Sequence, residues 1–106
     1  MFARTVFLQL KPNSIAGFTE TIEKEIIPLL RKQQGFQDEI AFVVPGGTDA
    51  VSVSVWDRKE HAEAYHRGTY PAVLRALQNV IEGTPQIHFY EVSNSTFHHL
   101  VSRVAI

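Results

Sequence analysis

The 106-residue chain has no cysteine, a single tryptophan and a single methionine. Without thiols there is no disulfide, no thiolate metal site and no cysteine nucleophile, and the redox compartment is left open. An excess of charge is also missing: 10 Lys and Arg stand against 11 Asp and Glu, for a formal net charge of −1. A chain so balanced has no electrostatic pull on phosphate backbones or anionic membranes. Neither nucleic acid nor membrane is expected as a partner. No apolar run approaches the roughly 20 residues that a membrane helix needs. The opening "MFARTV" has no signal-peptide apolar core, which gives a cytoplasmic location as the expectation.

What the chain does have is periodicity. A hydrophobic fraction of 44% with 20% charged residues is that of a globular protein, and the length fits one domain over 1–106. Residues 2–10 are rich in β-formers. Phe2, Val6, Leu8 and Leu10 share one parity, interrupted by Arg4. "KPNS" breaks the strand, and Asn13 or Ser14 can cap a helix whose apolar stripe is Ile15, Phe18, Ile22, Ile26, Leu29 and Leu30. Pro28 lies within that helix and removes a helical hydrogen bond, which predicts a kink or a register change. Gly35 suits the helix C-cap. Strands over 36–44 and 50–56 flank the turn cluster "PGGTD" as a hairpin. In the second of them Val51, Val53 and Val55 point one way, and Ser52, Ser54 and Trp56 the other.

Asp57 and Glu60 have the spacing of a capping box and predict a helix from 58. Gly68 ends or bends it. Tyr70, Val73, Leu74, Leu77, Val80 and Ile81 form a second stripe, stopped by Gly83-Thr84-Pro85. A strand over 86–92 follows, with 96–101 free to extend or re-pair it. The order gives an α+β class: a ferredoxin-like βαββαβ fold with a four-stranded antiparallel sheet. Both helix stripes must cover one face of that sheet. Strands one and two then leave on the other face either Phe2, Val6 and Leu8 with Phe36, Ile40 and Phe42, or Phe7 with Ala41 and Val43. A half-apolar second face invites a second sheet. The expectation is a homodimer with an interface on the order of 1,600 Å² or more.

The helix end "IIPLLRKQQGF", the run "VSVSVWDRKEHAEAY" and the closing "FYEVSNSTFHH" together resemble the antibiotic-biosynthesis-monooxygenase-like (ABM) family of dimeric α+β barrels. The likeness covers a core of about 3–99, leaving a tail over 100–106. It implies a homodimer joined by its sheets, with a pocket between sheet and helices in each subunit. It also implies cofactor-independent monooxygenation of quinols or polyketide aromatics, or haem degradation. The haem-degrading branch carries an asparagine, a tryptophan and a haem-ligating histidine where this chain has Val6, Tyr65 and Arg75. None matches, and a guanidinium does not lose the proton that iron ligation requires.

Candidate site residues concentrate in "SVSVWDRKEHAEAYHRG", 52–68. His61 and His66 are five apart, roughly 140° around a helix, and so do not share a metal. His98 and His99 point to opposite sides of an extended chain. No metal and no cofactor is expected. Tyr65 and His66 are the catalytic candidates: the phenol could hydrogen-bond a phenol or carbonyl, and an imidazole of ordinary pKa near 6.5 could accept a hydroquinone's proton. Trp56 is either an aromatic wall for a planar substrate or a core aromatic. Tyr70, Arg75 and His88 are further candidates for lining, with Arg75 suited to an anionic ligand. "VPGGTD" has no helix behind it and reads as a hairpin turn rather than a phosphate loop. The leading functional expectation is a monooxygenase acting on a small aromatic, quinol or polyketide-type substrate. The alternative is a non-catalytic ligand-binding or stress-associated homodimer, and a haem-binding protein ranks third.

Overall fold

The computed structural model describes residues 1–97. The expectations for His98, His99, most of 96–101 and the tail lie outside them. The elements are β1 (Phe2–Leu10), α1 (Ile15–Thr21), a π-helical turn (Ile22–Ile26), α2 (Ile27–Arg31), β2 (Phe36–Val43), β3 (Asp49–Trp56), α3 (Lys59–Gly68), α4 (Tyr70–Leu77) and β4 (Ile81–Glu91). The sheet order is β2-β3-β1-β4 with every pair antiparallel. This is the ferredoxin-like α+β arrangement. Among the described residues no helix is long and apolar enough to cross a membrane.

The helices lie on one face. Val6, Leu8 and Leu10 of β1 are buried against Phe18, Ile22, Ile26 and Leu30 from the first helical run and Val73 and Leu77 from α4. Each such side chain, fully buried, contributes roughly 1.5–3 kcal/mol. The first run is not a uniform helix. Its stripe is kept by widening one turn, because Ile22–Ile26 is π-helical immediately before Pro28. Proline lacks the N–H that the turn would need and its ring crowds the carbonyl four residues back. A π turn absorbs both, so the register change occurs upstream of the proline.

Several local expectations are corrected. Ser14 is the N-cap of α1 but makes no side-chain capping bond. Gly35 is not the helix C-cap, which is Lys32. Gly35 has φ +81° and turns the chain into β2. The capping box at 57–60 does not form: α3 starts at Lys59 with Arg58 as N-cap and no side-chain bond. Asp57 is instead drawn to His61, whose Nδ1–H donates to it at 2.7 Å. The helix ends at Leu77, so Ile81 belongs to β4 rather than to the α4 stripe. Gly83-Thr84-Pro85 lies within β4, where the β1 register slips between Phe7 and Gln9. An edge strand tolerates proline because its outward N–H has no partner to lose.

A second register slip matters more. Phe36 pairs with Trp56 and Asp38 with Val55, so β2 carries one extra residue. Its side chains change face at that point. Phe36, Glu39, Ala41 and Val43 look toward the helices, opposite Trp56, Ser54, Ser52 and Ala50, while Ile40 and Phe42 look away. The open face is therefore neither of the two sets that strict alternation gives. It combines Phe7 with Ile40, Phe42 and the valines of β3.

Candidate active site

β1 and β3 place the polar residues of the interior. Arg4 and Ser54 are opposite one another, as are Val6 and Ser52, all facing the helices. The bulge in β2 brings Glu39 beside them. Together with Tyr65 of α3 and Tyr70 of α4 they line one cavity, whose remaining walls are apolar side chains of β1, the first helical run and α4. Its volume is about 20 Å³, space for about one water-sized group.

Arg4 is the unusual member, a guanidinium on a residue only 2% exposed. It lies 4.0 Å from the ring centre of Tyr70 and 5.2 Å from that of Tyr65, a double cation–π contact. Its Nη2 donates to Nδ1 of His66 at 3.0 Å. Arginine only donates, so that nitrogen is unprotonated and the imidazole is the neutral Nε2–H tautomer. Burial, then Arg4 and Arg67, lower the His66 pKa and keep it so. Burial also lowers the Arg4 pKa, partly offset by Tyr65, Tyr70 and Glu39. Among the described residues no carboxylate forms an ion pair with this guanidinium.

Glu39 is the second unusual member. Burial pushes its carboxyl up to about 7, against the lowering effects of a hydrogen bond from Ser52 and of the Arg4 charge. The Ser52 hydroxyl donates to Oε2 at 2.5 Å. Tyr65 and Tyr70 are held above the ordinary phenol range by burial and remain neutral.

The sequence-predicted residues divide. Tyr65 and Tyr70 line the cavity. His66 does not. It stands behind Arg4, its ring stacked at 5.6 Å on Tyr70 and edge-on to Phe89. Trp56 is 0% exposed and lies one layer back, 5.1 Å from Tyr65 and 5.6 Å from Phe36, its indole N–H bonded to Ser54 at 2.9 Å. Arg75 is exposed on α4. His88 is on the opposite face of the sheet, against Phe7 and Tyr90. Of the three positions compared with haem-degrading enzymes, Val6 and Tyr65 are buried in the core and Arg75 is at the surface. His61 and His66 do not converge, and no group of three or more potential metal ligands occurs among the described residues. Sequence reasoning missed Arg4 and Glu39 as site residues. Arg4 was visible as the one charge on an apolar strand face. Glu39 was hidden by the bulge, which puts it on the face that alternation assigns to its neighbours.

No protein-family profile matches the chain, and no curated protein matches it in sequence. Solved structures do match in shape. A protein of unknown function from Nitrosomonas europaea superposes with a TM-score of 0.73 at 21% identity, over 91% of this chain and 92% of that one. A monooxygenase from Streptomyces coelicolor, solved in complex with nanaomycin D, superposes with a TM-score of 0.74 at 16% identity, over 91% and 90%. An antibiotic biosynthesis monooxygenase gives 0.69 at 10%, over 89% and 100%. Identities this low speak to the fold, and with it the chain takes its place: it has the ABM-like fold, a ferredoxin-like α+β sheet with its helices on one face.

Proposed function

We propose that the chain is a cofactor-independent monooxygenase acting on a small hydroxyaromatic or quinol-type substrate, as a homodimer joined through its open sheet faces. One observation carries the reading: a carboxyl pushed up to about 7 shares a small, largely apolar cavity with a buried cation. Such a pair suits proton abstraction from a hydroxyl, because a base poised near neutrality accepts the proton and a nearby positive charge favours the anion left behind. The electron-rich anion reacts with dioxygen. For a hydroquinone, one oxygen atom enters the ring, the other leaves as water, and the substrate itself supplies the electrons and becomes a hydroxyquinone. Glu39 is the proton acceptor in this reading. Tyr65 orients the substrate, and His66 acts through Arg4 by fixing the guanidinium.

The test is oxygen uptake with a panel of hydroquinones, without added metal or flavin. Wild-type turnover is expected, and Glu39→Gln should lower kcat about 10²-fold or more. A wild type that is inert across the panel overturns the reading. A second reading, ligand binding without turnover, is favoured by the small volume of the cavity. It gives thermal stabilisation by small aromatics with no oxygen consumed.

A further inference from the structure

Two donors inside the cavity have no acceptor. Among the described residues, Arg4 Nε and the Tyr70 O–H are buried and find no acceptor, the guanidinium itself only donating toward Tyr70. They belong to side chains 2% and 6% exposed that both line the cavity. A buried donor left unmet costs about 1–3 kcal/mol, and a buried cation without an anion costs more. His66 meets one edge of the guanidinium, but as a neutral acceptor it supplies no charge. Glu39 acts on Arg4 only through its charge and forms no ion pair with it, so what the guanidinium lacks is an acceptor oxygen in contact with Nε.

We propose that this end of the cavity binds a monocarboxylate, its oxygens accepting from Arg4 Nε and the Tyr70 hydroxyl. The inference rests on reading the cavity as a ligand site. It narrows the substrate class to hydroxyaromatic acids, with the carboxylate anchored at Arg4 and the hydroxyl directed to Glu39. A dianion such as phosphate fits less well. Among the described residues one cation lines the cavity, and the carboxyl of Glu39 shares its wall. The available space matches a carboxylate oxygen, which takes the place a water would fill. A ring needs more, so the apolar wall from α4 and the first helical run gives way as it enters.

The test is calorimetric titration of the full chain with benzoate, its neutral isostere benzamide, and inorganic phosphate at pH 6. Benzoate should bind at least tenfold more tightly than either. Arg4→Met should abolish the preference over benzamide, and Tyr70→Phe should weaken benzoate about threefold. Should Arg4→Met fail to fold, Glu39→Gln carries a separate arm. Removing that carboxylate should tighten benzoate at pH 8 at least threefold. Equal affinities, no saturable benzoate binding, a preference for phosphate, or a preference that survives in folded Arg4→Met each overturn the inference. Benzoate has no hydroxyl to oxidise, so the titration reads the anchor alone. Hydroquinone turnover without benzoate binding sinks the anchor and leaves the oxidation standing. Benzoate binding in a protein inert to every hydroquinone does the reverse.

Discussion

Glu39 couples the site to the stability of the fold. Its carboxyl binds a proton more tightly in the folded chain, near 7, than at its ordinary value of 4.5. The stabilisation from this group is therefore complete below about pH 4.5 and is lost as pH rises through about 7. The loss is on the order of 1–3 kcal/mol, since part of the shift is absorbed by water at a half-buried side chain. Urea unfolding of wild type and Glu39→Gln at pH 5 and pH 8 checks this. The variant should show less loss of stability between the two pH values, and should be the more stable protein at pH 8. An identical pH dependence in both would show that burial does not tax this carboxylate.

At the scale of elements, the junction of α2, β2 and α3 depends on Gly35. Its φ of +81° disfavours any side chain, and a Cβ there would collide with Asp57 Oδ1 and His61 Nδ1. Asp57 N–H also donates to the Gly35 carbonyl at 2.8 Å. Gly35→Ala should cost about 2–4 kcal/mol, read as a lower urea midpoint with an unchanged slope. A change under half a kcal/mol would mean that the junction relaxes freely. The same junction shows what the sequence made legible. The strands and the two helical stripes follow from apolar parity and spacing, which the core enforces. The cap at Asp57 did not, because a carboxylate 2.7 Å from the imidazole one helical turn ahead has a stronger partner than a backbone N–H. The π turn and the β2 bulge each insert one residue, and composition does not mark where an insertion is absorbed. Glu39 was lost to one such insertion, while Arg4 stayed visible because β1 keeps its alternation past it.

At the scale of the whole molecule, the described residues cover one sheet face and leave the other bare. On the bare face Phe7 is 43% exposed, Phe42 54% and Tyr90 49%. A contiguous apolar surface of this kind marks an association site. Light scattering at micromolar concentration is expected to give twice the chain mass of 12.0 kDa. Phe7→Lys combined with Phe42→Lys should give the monomer. A wild-type monomer would refute sheet-to-sheet association. Trp56 adds a property of another kind. It is the only indole of the chain, sealed from solvent, and it touches the cavity through both Tyr65 and Ser54. The protein thus carries a native fluorophore one layer behind its candidate site. Displacement of Tyr65 or Ser54 alters the indole's packing and its hydrogen bond. Emission intensity and wavelength then report occupancy in an unlabelled sample, within the time of mixing.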